Sequence, residues 1–393
     1  MRFASRTAWN LELNRLARLA EERRRAGRPI LDLTESNPTL CGFRYDEAAI
    51  REALADPRGL TYEPQPRGLD EARQAVCEYY GEAGISTPQV LLTSGSSEAY
   101  GHLFRLLADP GDQVLAPRPS YPLLGFLAEL HDVQLAEYAL EYHGGWAIDF
   151  ASLEQAAGPR TRAVVAVNPN NPTGSLVKPE ERERLLGFCA RHGMALIADE
   201  VFLDYPLEAG QGAAGSFASG GPALVFVLNG LSKTAALPQL KLGWMVAAGP
   251  PPAVEEAMGR LEIIADTYLS VGSGVQLALG RLLAGRGAIQ KQILDRATSN
   301  LAALDRRLEG QSLVTRLGVE AGWSVILRLP RFRTDEEWAL ELLDEDGVLA
   351  HPGHFFHFPA EAYLVLSLIV EPASLEGAIE RLLERVARHA RLS

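Results

Sequence analysis

Short apolar runs alternate with amphipathic stretches along most of this chain. From about residue 70, "EARQAVCEYYGEAG" reads as a helix, "QVLLTSG" as a strand ending in glycine and "SEAYGHLFRLLADPG" as a helix. The pattern repeats: "DQVLAP", "VQLAEYAL", "RAVVAVNP", "MALIADEVF", "ALVFVLNG" and "LGWMVAAG" are strand-like runs, with "PLLGFLAELHD" and "KPEERERLLGFCARHG" as helices among them. Runs this apolar suit strands buried on both faces. Upstream, Leu11, Leu13, Leu16, Leu19 and Ala20 recur at helical spacing and predict an arm helix over 8–25. "PILDLTESNPT" predicts a short strand and then a turn, because Asn37-Pro38 disfavours helix.

This order predicts an α/β fold: a large domain with a mostly parallel sheet covered by helices on both faces, and a smaller α/β domain. Past residue 285 the texture changes. A long helix over about 286–309 precedes "WSVILRLP", a helix near 335–345, "GVLAHPG", "YLVLSLIV" and a final helix. The expected division is 1–50 as an N-terminal arm contributing to the small domain, 51–285 as the large domain and 286–393 as the small one. The Gly-rich stretch 209–221 reads as a surface loop.

Composition narrows the function. With 38 basic and 50 acidic residues the formal charge is −12, a poor match to nucleic acid. The basic run Arg23-Arg24-Arg25 reads as a solvated helix face. Cys41, Cys77 and Cys189 lie far apart and form neither a disulfide framework nor a zinc motif, so reduced thiols in the cytoplasm are expected. No apolar segment is long enough for a membrane span, and the N-terminus lacks the apolar core of a signal peptide.

Several segments carry chemistry, and each falls at the carboxyl end of a strand, where open α/β sheets bind ligands. "TSGSSEAY" puts Gly95, Ser96 and Ser97 at a helix start, which offers free N–H groups and hydroxyls to a phosphate. "NPNNPTG" fixes a rigid turn and holds Asn171 there. "ADEVF" sets Asp199 at a strand end, where a carboxylate is costly without a cationic partner. "NGLSKTAALPQLKLG" places Ser232 and Lys233 in a small-residue loop.

Taken in this order, the segments resemble the class I/II, aspartate-aminotransferase-like enzymes of pyridoxal-phosphate fold type I, over about residues 30–390. The resemblance implies pyridoxal 5'-phosphate as cofactor, held by Lys233 as a Schiff base, with Asp199 paired to the pyridine nitrogen. It further implies that Asn171 donates to the 3′ oxygen, Tyr121 stacks on the ring, and Ser96, Ser97, Ser232 and Lys241 surround the phosphate. Tyr62, in "LTYEPQPRG", matches a tyrosine that reaches the phosphate of a neighbouring subunit, which implies a homodimer with shared sites. The implied reaction moves an amino group between an amino acid and a 2-oxo acid. A lyase, a decarboxylase or a cofactor-sensing module would use the same scaffold.

Four positions depart from the family pattern. Phe202 stands where a tyrosine is usual, Gly230 for a serine and Lys241 for an arginine. "YLVLSLI" places Val365 where the family carries the arginine that grips the substrate α-carboxylate. Candidates to replace it are Arg328 first, then Arg118 and His351, His354 and His357 of "HPGHFFHF", with the Ser36-Asn37 turn lining the pocket. Arg67 flanks Tyr62 near the expected pocket mouth. The three histidines come without a carboxylate in their own segment, so no metal is expected.

Overall fold

Alternation within the apolar runs becomes two buried faces of one sheet. In the Thr161–Val167 strand, Val164 and Ala166 pack on one side while Ala163 and Val165 pack on the other. Leu196 and Ala198 are divided from Ala195 and Ile197 in the same way along Ala195–Asp199. This period of two buries both faces, and the flanking amphipathic helices cover them.

The computed structural model describes residues 1–207 and 214–391. Its large sheet has eight strands in the order Val90–Thr93, Gly243–Ala248, Val225–Gly230, Ala195–Asp199, Thr161–Val167, Gln113–Arg118, Gln134–Tyr142 and Trp146–Ile148. The five strands from Val225–Gly230 to Gln134–Tyr142 are parallel. Gly243–Ala248 runs antiparallel between its two neighbours, and Trp146–Ile148 closes the far edge as an antiparallel ribbon. A second, four-stranded sheet is ordered Thr315–Arg316, Ser324–Arg328, Tyr363–Ser367 and His351–Pro352. It carries its own core, in which Trp323, Trp338 and Leu364 are buried with Ile379 of the final helix, Pro372–Ala390. Leu31–Asp32 pairs in parallel with Val348–Leu349, which ties the N-terminal segment to this second core.

Several details differ from the sequence reading. The arm helix begins at Arg15, not residue 8, because the Asn14 side chain accepts from the Ala17 N–H and caps it there. The long helix is a continuous Ser273–Leu308 and starts a dozen residues early. The helix near 335–345 is Asp335–Glu341 followed by a wider turn over Leu342–Asp346. Arg23 is not solvated: its guanidinium donates to the carbonyls of Asp344 (2.5 Å) and Pro29 (3.4 Å), while Arg24 and Arg25 are exposed. The long stem lets the charge reach orphan carbonyls at a neighbouring helix end. Residues 209–213 of the expected Gly-rich surface loop lie outside the described residues.

Three backbones meet where the site is built. A Cβ on Gly243 would lie 2.9 Å from Gly95 Cα and 3.0 Å from the Asn229 carbonyl oxygen. One on Gly230 would lie 2.8 Å from Gly243 Cα. The usual serine is therefore excluded at position 230 by close approach. Gly243→Ala should lower the melting temperature markedly, with a cost on the order of 1–3 kcal/mol for forcing main chain apart. A scan of wild type and variant by near-ultraviolet circular dichroism checks this; an unchanged transition would show that the strands can separate freely.

Candidate active site

One cavity of about 250 Å³ lies where the two sheets face each other. The large sheet contributes Val167, Asp199 and the helix start at Ser96 and Ser97; the Leu231–Thr234 turn contributes Ser232 and Lys233. The second sheet and its approaches contribute Trp323, Ser324, His351 and Val365. Ser36, Asn171, Tyr121, Thr34, Tyr100, Ser120 and Ser367 add to the polar lining, and Leu123, Leu124, Leu127 and Phe356 make an apolar side.

Asp199 is the last residue of its strand, in register with Val167 and Leu228. The Tyr100 hydroxyl donates to Asp199 Oδ2 at 3.0 Å and the Val201 N–H reaches Oδ1 at 3.3 Å. Burial outweighs both donors and pushes the carboxyl up to about 6. Among the described residues no cation acts on Asp199, only its burial, the Val201 N–H and the Tyr100 hydroxyl. This is the environment of a carboxylate awaiting a positively charged partner.

Lys233 is shifted in the complementary sense: burial holds its ammonium down at about 8. Nζ stands 4.7 Å from the Trp323 ring centroid and 5.3 Å from that of Phe202. Its backbone is pinned on both sides. Tyr205 Oη donates to the Lys233 carbonyl (2.6 Å), Gln290 Nε2 to the Thr234 carbonyl (2.7 Å), and Tyr45 Oη to the Ala236 carbonyl (2.9 Å). A lysine held this way presents its amine to the cavity with a depressed proton affinity, as a nucleophile or base requires.

The "NPNNPTG" turn is locked from beneath. The Val177 N–H donates to Asn168 Oδ1 (2.9 Å), and the Glu320 and Ala321 N–H groups donate to the Gly174 carbonyl (3.1 and 2.9 Å). Gly174 has φ +66°, and a Cβ there would fall 2.5 Å from the Ala321 carbonyl oxygen. Asn171 Oδ1 accepts from Ser324 Oγ at 3.4 Å, which links the turn to the second sheet.

Of the residues singled out by sequence, Lys233, Asp199, Ser96, Ser97, Ser232, Asn171, Tyr121 and Ser36 converge on this cavity, with His351 and Val365. Gly95 sits just behind the helix start as its cap. Asn37 uses its side chain on Thr39 instead. Arg328 is exposed at the end of its strand, and Lys241 is exposed at φ +49° before the Gly243 strand. Tyr62 is exposed in a separate groove with Pro64 and Leu269. Arg118 pairs with Glu137 (3.5 Å) and Arg67 with Glu262 (2.6 Å). The three histidines diverge: His354 turns to Asp335 (3.4 Å), His357 to Glu137 (2.7 Å), and His351 into the cavity. Tyr100, Trp323 and Tyr205 were not singled out. Tyr100 was legible, since it follows Ser96 by one helical turn and shares its face; the other two reach the site only through tertiary packing.

Solved structures share this architecture. An alanine aminotransferase from Pyrococcus furiosus superposes with a TM-score of 0.90 over 98% of this chain and 100% of its own, at 23% identity. An aspartate aminotransferase mutant from Thermus thermophilus does so with a TM-score of 0.85, at 25% identity, over 98% and 100%. The fold is thus that of the aspartate-aminotransferase-like enzymes, α/β with a mostly parallel large sheet. Residues 28–382 match the model of the family "Aminotransferase class I and II", and the chain belongs to that family. It is 30% identical to an alanine aminotransferase from Mycobacterium tuberculosis over 376 residues, 91% of this chain and 85% of that protein. It is 26% identical to the glutamate-pyruvate aminotransferase AlaA of Escherichia coli over 358 residues, 88% and 87%. The protein is an enzyme that transfers amino groups, and these relatives do not favour the lyase or decarboxylase outcomes.

Because the folded carboxyl of Asp199 is raised above its ordinary value, the folded state holds that proton more tightly than the unfolded chain. Its ionisation therefore subtracts stability as pH rises from about 4 through 6. Asp199→Asn should raise the melting temperature of the ligand-free protein at pH 7–8, by at most about 3 kcal/mol of stability. The gain should shrink toward pH 4. A variant less stable than wild type at pH 8 would place the burial penalty elsewhere.

Proposed function

We propose that the enzyme is a pyridoxal 5'-phosphate-dependent aminotransferase in which Lys233 carries the cofactor. The observation that supports this most directly is the pairing, in one cavity, of a lysine and a carboxylate that burial drives toward neutrality from opposite sides. A pyridinium beside Asp199 would supply the cation that carboxylate lacks. The free N–H groups at Ser96 and Ser97, with the hydroxyl of Ser232, suit the phosphate. Tyr121 and Asn171 offer a ring face and an amide.

Bound there, the cofactor supplies an electron-poor ring that takes up the electrons released when the substrate Cα–H bond breaks. Asp199, held in place by the Tyr100 hydroxyl, would keep a ring nitrogen beside it protonated. Lys233 Nζ, with its proton affinity depressed, is the base that moves the α-proton. Asn171, tied to Ser324, orients the ring oxygen side. The apolar wall around Leu123, Leu124 and Leu127 excludes water from the proton in transit.

The reading extends to a donor and acceptor with apolar side chains. The names of the alanine and glutamate-pyruvate relatives and the Leu-rich wall support alanine and pyruvate as one amino-acid/2-oxo-acid pair, and the second name supplies glutamate for the other pair. It includes a homodimer, supported by the exposure of Tyr62 away from the cavity of its own chain, where a neighbouring copy could meet it. It includes the cytoplasm, consistent with three free cysteines. Among the described residues, no helix is long and apolar enough to cross a membrane.

Lys233→Ala should abolish borohydride-trapped attachment of pyridoxal 5'-phosphate, read by intact mass, and should remove 2-oxo-acid production. Covalent label on another lysine of the variant would reject the assignment. Sedimentation of the wild type should give a dimer, and Tyr62→Phe should weaken cofactor retention by about tenfold through loss of one phosphate contact. A monomer with full activity would contradict the shared site.

A further inference from the structure

Every amino acid brings a carboxylate, and a carboxylate entering an enclosed cavity needs a positive partner. Among the described residues lining this cavity, only Lys233 and His351 can carry positive charge. Lys233 is committed to the chemistry. Val365, on the cavity wall, offers no donor at all.

His351 is placed for the task by strand register. It pairs directly with Val365 across the antiparallel ladder between His351–Pro352 and Tyr363–Ser367. Cross-strand partners project on the same face with their Cβ atoms about 5 Å apart. The imidazole therefore emerges beside the Val365 side chain and faces the same space. Pro352 and the turn Gly353–Phe356, anchored by buried Gly353 and Phe356, lie behind it. Phe355 and Phe356 flank the ring at 6.1 and 5.8 Å between centroids. The imidazole makes no hydrogen bond or ion pair within 4 Å among the described residues, in contrast to His354 and His357. A second observation marks the same space: Trp323 is 2% exposed, lines the cavity, and its indole N–H has no acceptor among the described residues.

We propose that His351 holds the α-carboxylate of the substrate, protonating as the carboxylate enters, with the Trp323 indole N–H as a second donor. The proposal rests on the aminotransferase reading above and names how that site recognises its substrates. It gives the imidazole a role as a conditional cation. Burial lowers its proton affinity in the empty cavity, and Asp32 acts against that. A carboxylate at bonding distance reverses the balance, so binding takes up one proton and weakens as pH rises. The other titratable groups around the ring are Lys233, Asp199, Tyr100 and Tyr121 in the cavity, Tyr363 on the adjoining strand, and His354 with Asp335 behind it.

The test uses the holoenzyme, reconstituted with pyridoxal 5'-phosphate so that Lys233 is occupied. The probes are 4-methylvalerate and its neutral amide, 4-methylvaleramide, titrated calorimetrically at pH 6 and pH 8.5. Wild type should bind the acid about tenfold or more tightly than the amide at pH 6, with net proton uptake, and should lose most of that preference at pH 8.5. His351→Leu should bring the preference near unity at both pH values and raise KM for amino acids far more than it lowers kcat. His351→Arg should restore the preference and make it independent of pH. Should His351→Leu fail to fold, His351→Gln read against His351→Arg decides the same point. A full acid preference in His351→Leu or His351→Gln would overturn the proposal and assign the carboxylate to another cation, including one from a neighbouring subunit. If no amino acid of a panel yields a 2-oxo acid, the aminotransferase reading fails separately. The comparison of acid and amide needs no turnover and still decides the role of His351.

Discussion

Asp199 is kept from water at the end of a parallel strand, and much of the surrounding structure serves to make that tenable. Its strand lies between two parallel neighbours, so the backbone is fixed by ladders on both sides. Tyr100 and the Val201 N–H soften the desolvation without cancelling it, and the carboxyl remains pushed up to about 6. Lys233 faces the same cavity with the opposite charge and the opposite shift. An apolar interior favours the neutral form of each group, and a ligand carrying both a cation and an anion relieves the penalty.

Precision in that arrangement comes from main chain rather than side chains. Gly95, Gly230 and Gly243 bring the helix start, the lysine turn and an antiparallel strand into direct contact. Tyr205, Gln290 and Tyr45 then bind the carbonyls around Lys233. The lysine turn carries little freedom of its own, which suits the role proposed for Lys233.

Much of this was legible in the chain. The short apolar runs alternating with amphipathic helices pointed to the parallel layer, and the strand-end motifs pointed to Asp199, Asn171, Ser96, Ser97 and Lys233, because each depends on local sequence: a glycine for a turn, a cap, a charged residue after an apolar run. What escaped depends on pairing between distant segments. Nothing local says that Gly243–Ala248 runs antiparallel, or that a wider turn ends the Asp335–Glu341 helix. Arg328 sits on a strand of the right sheet, but at its exposed end. The fate of His351, as opposed to His354 and His357 three and six residues on, is set by the ladder to Val365, and register cannot be read from one strand alone.

The cavity has two owners. Asp199, Ser96, Ser97 and Lys233 belong to the large sheet and its turns, whereas Trp323, Ser324, His351 and Val365 belong to the small one. Their junction runs through the Gly174–Ala321 contact and the Asn171–Ser324 bond. On the reading proposed above, substitutions at His351 and Val365 would change which molecules are accepted, whereas Trp323 and Ser324, which meet Lys233 and Asn171, belong to both tasks. Inheritance can act on the two halves at different rates, so a lineage can trade one diet of amino acids for another without reinventing its chemistry.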